Sequence, residues 1–151
     1  PPGIKYWPFH KGRDGCRSPM QWDDSQNAGF SKTKPWLPVH PNYKKRNVTN
    51  QRNDENSVFN FTRRLIALRK EHKTLRNGEI IPLKELPKDV MAYLRKSDSE
   101  EILVLLNFSK KKQKITLSNG TWEIIFSEKR ETTVKSELLL SPHEVLLLKS
   151  E

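Results

Sequence analysis

The segment over residues 12–24 concentrates the side chains of this chain that could do chemistry. It reads GRDGCRSPMQWDD and places two arginines, three aspartates, a tryptophan and a proline in one short stretch. No helical or strand period runs through it, so the pattern predicts a loop that presents particular side chains. Such loops carry function more often than packing. The rest of the chain is interpreted as the support of this loop and the domain that follows it.

The loop contains the single cysteine of the chain, Cys16, so no internal disulfide can form. No motif supplies a base that would turn this thiol into a nucleophile, and we expect a small buried or semi-buried side chain. The histidines lack the spacing of metal ligands, and we expect surface or hydrogen-bonded residues and no metal site. They are His10, His40, His72 and His143.

Residues 1–53 are rich in proline, and each proline blocks regular helix and disfavours helix in the residue before it. Trp7, Trp22 and Trp36 lie among the prolines, and disordered segments are usually poor in aromatics. We therefore expect an ordered, meandering loop that packs against protein absent from this sequence. The opening residues, Pro1-Pro2-Gly3 without a methionine, favour a piece of something longer.

A helix is predicted over residues 54–73. Val58, Phe61, Leu65 and Leu68 follow the spacing of one apolar helix face, which two further side chains, Phe59 and Ile66, widen. Asn53 or Asp54 can cap the first turn, the basic residues 69–73 suit the negative end, and Asn77-Gly78 closes the helix.

After Gly78 the period changes to that of strands. The predicted strands cover residues 79–83, 90–95, 102–107, 113–117, 122–126, 133–140 and 144–148. Asn119-Gly120 between two of these runs predicts a hairpin turn. Short strands at this spacing indicate an antiparallel sandwich with a modest core.

The formal net charge is +10, but the lysines are scattered, which favours a basic surface over a nucleic-acid site. Residues 110–112, three consecutive lysines, are interpreted as a solvated turn between strands. No apolar run approaches the length of a membrane span and no signal-peptide pattern is present, so we expect a cytoplasmic protein. Four Asn-X-Ser/Thr sequons, at Asn47, Asn60, Asn107 and Asn119, are attributed to chance and family sequence.

Residues 11–22, KGRDGCRSPMQW, resemble a segment of the α-glucosidases and oligo-1,6-glucosidases of glycoside hydrolase family 13. The similarity continues through residues 27–31, 35–39 and 41–43. From residue 54 onward it includes FTRRLIALRKEH, which resembles the final barrel helix of those enzymes, and LLNFS, which resembles a strand of their C-terminal domain. The resemblance therefore covers essentially the whole chain.

The resemblance implies a (β/α)8 barrel followed by an antiparallel β domain, with this chain starting after the eighth barrel strand. The expected fold is an α+β fragment, mainly β. Residues 1–77 would be the end of the catalytic barrel, with an active-site loop over 1–53 and the final barrel helix over 54–73. Residues 78–151 would be the C-terminal antiparallel β-sandwich. The three catalytic carboxylates of the family lie upstream, so no catalytic residue is expected here.

The resemblance also implies a substrate-binding role for Arg13, which matches the arginine that reaches the terminal glucosyl unit. A planar, permanently charged donor fork can hold a carboxylate and a hydroxyl together, and loops on this face of such barrels build the active site. Arg17 is expected in a structural ion pair with Asp14 or Asp23. Asp23 and Asp24 are adjacent, whereas retaining hydrolysis needs carboxyls about 5 Å apart across the glycosidic bond. We expect a turn or cap role for them.

The parent is expected to be an exo-acting α-glucosidase that releases glucose from short α-glucosides with retention, while this fragment alone is inert. The expected partner is the small α-glucoside, with no cofactor, nucleic acid or membrane. Two alternatives remain open: a non-catalytic structural relative such as the heavy chains of amino-acid transporters, and a basic binding module. The sequence also leaves open which glycosidic linkage the parent cleaves, because the residues that decide it lie upstream. It does not distinguish hydrolysis from isomerisation either.

Overall fold

The computed structural model describes residues 13, 16–117, 121–127, 129, 134 and 137–151. The chain divides into two units, Pro1–Arg64 and Leu65–Glu151. Among the described residues the helices are α1 (Val48–Asn53), α2 (Val58–Glu71) and α3 (Thr74–Asn77). A single 3-10 turn at Pro41–Lys44 precedes them, as does a turn at Gln26–Gly29 whose backbone is not right-handed helical at Asn27 and Ala28. Within the described ranges, no helix has the length and apolar character needed to cross a membrane.

The long helix begins later than the sequence predicted. Asp54 does not cap it; its carboxylate instead accepts a hydrogen bond from the Asn56 amide and closes a turn. The first turn of α2 is capped by Ser57, whose Oγ accepts from the Asn60 amide at 3.2 Å. A short helix, α1, also forms inside the stretch predicted to lack one, because the Asn47 side chain caps it by accepting from the Asn50 amide.

The C-terminal end of the helical region also differs from the prediction. α2 ends at Glu71, and the separate turn α3 follows before Gly78. Gly78 therefore closes α3, and its amide donates to the Thr74 carbonyl at 2.9 Å. The apolar face of α2 is only partly covered: Val58 is 75% exposed and Ile66 51% exposed.

The β domain contains two antiparallel sheets, which confirms the predicted sandwich. Its strands are β1 (Glu79–Pro82), β2 (Val90–Lys96), β3 (Glu101–Asn107), β4 (Gln113–Thr116), β5 (Trp122–Ser127), β6 (Glu137–Leu140) and β7 (Val145–Ser150). Five strands pair in the order β1-β2-β3-β7-β5, and β4 pairs with β6 in a second sheet. β3 and β7, the most apolar runs, lie at the centre of the larger sheet, as their burial requires.

The hydrophobic core lies in this sandwich. Alternate residues of the central strands, such as Leu103 and Leu105 of β3 and Leu146 and Leu148 of β7, point to the same side. The other members of the buried cluster are Ala92, Ile115, Leu117, Trp122, Val134, Leu138 and Leu140. The second sheet thus contributes to the same core.

The hairpin predicted between β4 and β5 does not appear in the pairing of the described strands. β4 pairs with β6, and β5 pairs with β7, so the two strands belong to different sheets. The turn residues 118–120 themselves lie outside the described residues. Local turn chemistry had favoured pairing of neighbours in sequence, whereas burial of the apolar strand faces decides the pairing here.

Candidate functional site

The loop that was singled out from the sequence is described at residue 13 and from residue 16 onward. The Arg13 carbonyl accepts hydrogen bonds from the Cys16 amide at 3.1 Å and from Cys16 Sγ at 3.0 Å. Both side chains are exposed. The prediction of a buried or semi-buried thiol was therefore wrong, because the thiol is exposed and donates to the Arg13 carbonyl. Arg13 forms no ion pair with any residue that the structure describes.

The middle of the loop is held by the segment that precedes α1 and by the first turn of α1. Gln21 Nε2 donates to Asn42 Oδ1 at 2.9 Å and to the Arg46 carbonyl at 2.7 Å. The Gln21 carbonyl accepts from the Val48 amide at 2.9 Å, and the Trp22 carbonyl accepts from the Thr49 amide at 3.0 Å. A stretch without secondary structure of its own is thus fixed by backbone and amide hydrogen bonds.

Three consecutive residues of the loop have left-handed backbone conformations. Asn27, Ala28 and Gly29 have φ angles of 55°, 59° and 65°. Ala28 is fully buried and its carbonyl accepts from the Trp22 amide at 2.9 Å, so surrounding contacts maintain a conformation that alanine disfavours. Strained backbone of this kind clusters at functional sites and supports a functional interpretation of the loop.

Asp23 is a turn residue. Its Oδ1 accepts from the Ser25 amide at 2.9 Å and from Ser25 Oγ at 2.5 Å. The hydrogen bonds from the Ser25 hydroxyl and amide hold the pKa of the Asp23 carboxyl below its ordinary value. A Cβ added to Gly29 would lie 2.5 Å from Asp23 Oδ2, so the carboxylate occupies space that only glycine leaves open.

The expected ion pair of Arg17 is not seen on the Asp23 side. Among the described residues no salt bridge joins Arg17 to Asp23, and Oδ1 of the Asp23 carboxylate is hydrogen-bonded to Ser25. The alternative partner, Asp14, lies outside the described residues. Asp24 is exposed beside Asp23, and the turn role predicted for this pair agrees with the hydrogen bonds of Asp23.

Large apolar side chains project from this loop into solvent. Trp36 is 74% exposed, and Trp22 and Phe30 are each 49% exposed. In contrast, Leu37 is buried within the same segment. Exposed aromatic side chains on an ordered loop are typical of a surface that contacts a ligand or another part of a protein.

The histidines and the lysine triplet take structural or surface positions. His40 Nδ1 accepts from the Asn42 amide at 3.3 Å, and His72 Nδ1 lies 2.6 Å from Glu100 Oε1. His143 is exposed, and His10 lies outside the described residues. Residues 110–112 form an exposed turn between β3 and β4, as predicted. In the part of the chain that the structure describes, no group of three or more His, Cys, Asp or Glu could hold a metal ion.

Three sequon asparagines have structural roles that the sequence reasoning missed. Asn47, Asn60 and Asn107 are buried, and each donates its side-chain amide to backbone carbonyls. The fourth, Asn119, lies outside the described residues. The signal that could have revealed these roles is the position of an asparagine inside a predicted helix or at the end of a predicted strand. A polar side chain that is buried at such a position needs hydrogen-bond partners, and backbone carbonyls can supply them.

Two family models match the chain in succession. The α-amylase catalytic-domain model matches residues 4–78, and the model of the α-amylase SusG C-terminal domain matches residues 90–145. The chain is 41% identical to an oligo-1,6-glucosidase of Parageobacillus thermoglucosidasius over 91% of its length and 23% of that protein. It is 40% identical to a probable α-glucosidase of Rhizobium meliloti (strain 1021), over 72% of its length and 20% of that protein.

A solved structure agrees with the family models. The isomaltulose synthase of Klebsiella sp. LX3 superposes with a TM-score of 0.83 at 31% identity, over 93% of this chain and 26% of that one. The chain thus spans about a quarter of the length of the relatives it matches. The chain belongs to the α-amylase family of glycoside hydrolases, family 13, and corresponds to its C-terminal part.

Proposed function

We propose that the chain is the C-terminal portion of an α-glucosidase-type retaining hydrolase that releases glucose from the non-reducing end of short α-glucosides. The observation that carries the proposal is the succession of the two family models, supported by relatives named oligo-1,6-glucosidase and α-glucosidase. The parent protein acts in the cytoplasm. The chain itself is non-catalytic and contributes a substrate-binding arginine and a bracing β domain.

Residues 1–77 are the end of the catalytic domain in this proposal, and residues 78–151 are the C-terminal β domain. The uncovered apolar side chains of α2, Val58 and Ile66, support the first assignment, since an amphipathic helix is stabilised mainly by burial of its apolar face. An open groove of about 810 Å³ lies between the C-terminal half of α2 and one face of the larger sheet, and Leu65, Met91 and Val145 are among its lining residues. These surfaces pack against the remainder of the catalytic domain in the parent.

Arg13 binds the terminal glucosyl unit in this proposal. Its carbonyl is fixed by Cys16 and its side chain is exposed, so the guanidinium is accessible to a ligand. The guanidinium would donate to a sugar hydroxyl and to a carboxylate of the parent barrel, a pairing that suits its planar fork. The catalytic carboxylates come from the parent, because Asp23 is committed to its turn and Asp24 lies beside it.

A second candidate activity is isomerisation of sucrose. It is favoured by the solved structures that the chain resembles, which include isomaltulose and trehalulose synthases at 31–36% identity. Incubation of the parent protein with isomaltose, maltose and sucrose, followed by chromatography of the products, separates the two. Free glucose from isomaltose or maltose supports hydrolysis, whereas isomaltulose or trehalulose from sucrose supports the isomerase.

The role of Arg13 is tested by the Arg13→Ala variant of the parent protein. Loss of a charged hydrogen-bond donor to the substrate lowers kcat/KM for p-nitrophenyl α-glucoside by roughly 10- to 100-fold. Arg17→Ala, a neighbouring exposed arginine, is the control and keeps its activity within about threefold. Unchanged kinetics of Arg13→Ala with an unchanged circular dichroism spectrum would remove Arg13 from the pocket.

A further inference from the structure

Four polar side chains converge where the helical region joins the β domain. His72 Nδ1 lies 2.6 Å from Glu100 Oε1, and Thr74 Oγ1 lies 2.8 Å from Ser97 Oγ. The side chains of His72 and Glu100 are only 12% and 16% exposed, and Thr74 is 3% exposed. Exposed ion pairs contribute little to stability, but this pair is largely removed from water and is joined to two hydroxyl groups.

The backbone at this junction is packed too closely for any residue but glycine. A Cβ on Gly78 would lie 2.7 Å from the Thr74 carbonyl oxygen and 2.8 Å from the Lys96 carbonyl oxygen. The Thr74 carbonyl also accepts from Arg95 Nε at 3.3 Å. The end of α3, the start of β1 and the end of β2 therefore meet at one point, directly beside the four side chains.

The charges around Glu100 favour its ionised form. Burial acts to raise the pKa of its carboxyl, but the hydrogen bonds from Thr74 and His72 and the positive charges of His72 and Lys149 outweigh it, so the pKa lies below 4.5. The other charged groups that surround the turn are Glu79, Lys96, Asp98 and Glu101. Lys96 pairs with Glu101 rather than with Glu100.

We propose that four side chains form a hydrogen-bonded cluster, here called the Glu100 clasp, which fixes the end of the helical region to the β2–β3 turn and opens in acid. Its members are His72, Thr74, Ser97 and Glu100. The imidazole can donate from Nδ1 in its neutral form as well as when charged. The clasp therefore remains closed at neutral pH. It opens when Glu100 is protonated, since a neutral carboxyl loses the charge-assisted hydrogen bonds.

The sign of the pH dependence follows from the lowered pKa of Glu100. The stabilisation is complete above about pH 5, where Glu100 is ionised in both the closed and the open state. It is lost as the pH falls below the ordinary value of 4.5 and through the lowered pKa of the closed state. Opening should be local, because the sandwich core contains none of the four side chains.

Hydrogen exchange of the full chain, followed by mass spectrometry or NMR, tests the clasp through two amides. The Gly78 amide donates to the Thr74 carbonyl and the Ser97 amide donates to the Glu100 carbonyl, so both report on the junction. Glu100→Gln should lower their protection factors about tenfold at pH 7, with protection in β3 and β7 unchanged. Glu101→Gln, which removes the exposed pair with Lys96, is the matched control and should leave both amides unchanged.

Two further measurements keep the test independent of how well one variant folds. The wild-type chain should lose protection at Gly78 and Ser97 between about pH 5 and pH 3, relative to β3, without any substitution. His72→Asn retains a donor near the position of Nδ1 and should keep most of the protection, whereas His72→Ala should lose it. Equal protection in Glu100→Gln and Glu101→Gln, or equal behaviour of the two His72 variants, would overturn the proposal.

Discussion

Asn60 is the residue whose replacement tests the packing of the helices most directly. Its side-chain amide donates to the carbonyls of Gln51, Arg52 and Asp54 at 3.0, 3.2 and 2.7 Å. The last carbonyls of a helix lack partners within the helix, so Asn60 of α2 satisfies the C-terminal end of α1. Asn60 is 4% exposed, so its side-chain amide is shielded from water.

The expected loss can be worked out from this geometry. Two N–H groups serve three carbonyls, so Asn60→Ala removes about two full hydrogen bonds. The Arg52 carbonyl loses this donor, while the other two carbonyls keep bonds from Ser57. The two lost bonds cost about 2 kcal/mol together, and the part-buried Arg52 carbonyl, left without this donor, adds up to about 2 kcal/mol. The free energy of unfolding should therefore fall by about 2–4 kcal/mol.

Urea unfolding followed by tryptophan fluorescence measures this loss. With a denaturant dependence of about 2 kcal/mol per molar urea, a loss of about 3 kcal/mol lowers the midpoint by about 1.5 M. Asn50→Ala is the control, because Asn50 Nδ2 donates one exposed hydrogen bond, to the Lys45 carbonyl at 3.1 Å. Its midpoint should move by less than about 0.3 M.

The isosteric variant Asn60→Asp separates hydrogen bonding from packing. It keeps the shape of the side chain but places a carboxylate against three carbonyl oxygens, so at pH 7 it should be less stable than Asn60→Ala. Acidification to about pH 4 should restore part of the stability, since a protonated carboxyl can donate one hydrogen bond. An Asn60→Asp protein as stable as wild type at pH 7 would refute this interpretation of the junction.

Two other positions give sharp expectations. Gly29→Ala places a residue with a side chain at a left-handed φ of 65°, with its Cβ 2.5 Å from Asp23 Oδ2. Limited proteolysis should therefore cleave residues 22–30 several-fold faster than in wild type, while the β domain stays intact. An unchanged cleavage rate would contradict this expectation. Asn107→Ala removes hydrogen bonds to the Lys111 and Ser141 carbonyls, both 2.8 Å, and should cost about 2–4 kcal/mol by thermal unfolding. Phe108→Ala, at a side chain that is 64% exposed, is its control; equal losses in the two variants would refute the role of Asn107.

The sequence predicted the elements of the β domain better than their pairing. The strands were found because short apolar runs are typical of buried strands, as in Ile102–Asn107, observed as Glu101–Asn107. The pairing of β4 with β6 was missed because it is decided by contacts between residues far apart in sequence. The Asn119-Gly120 signal describes only the local turn and not the sheet to which each strand belongs.

The helical region shows the same division between local and distant causes. The apolar spacing that starts at Val58 marks where α2 begins, yet two acceptable caps, Asn53 and Asp54, led the prediction to start it too early. Ser57 caps α2 in the structure, and Asp54 forms a turn instead. For the candidate site, the motif around Arg13 identified the loop, but no local pattern foretold three successive left-handed residues, because the contacts of Ala28 maintain them.

The buried asparagines also explain why sequons occur where no glycan can be carried. In the Asn107 sequon the Ser109 amide and hydroxyl both donate to Asn107 Oδ1, at 2.9 and 2.8 Å, which is the geometry of an Asx turn. The nitrogen that a glycan would modify already donates to Lys111 and Ser141 carbonyls. Asn-X-Ser arises at this position because turn formation favours the same residues that a glycosylating enzyme recognises. A glycan attached before folding would therefore prevent the turn between β3 and β4 from closing.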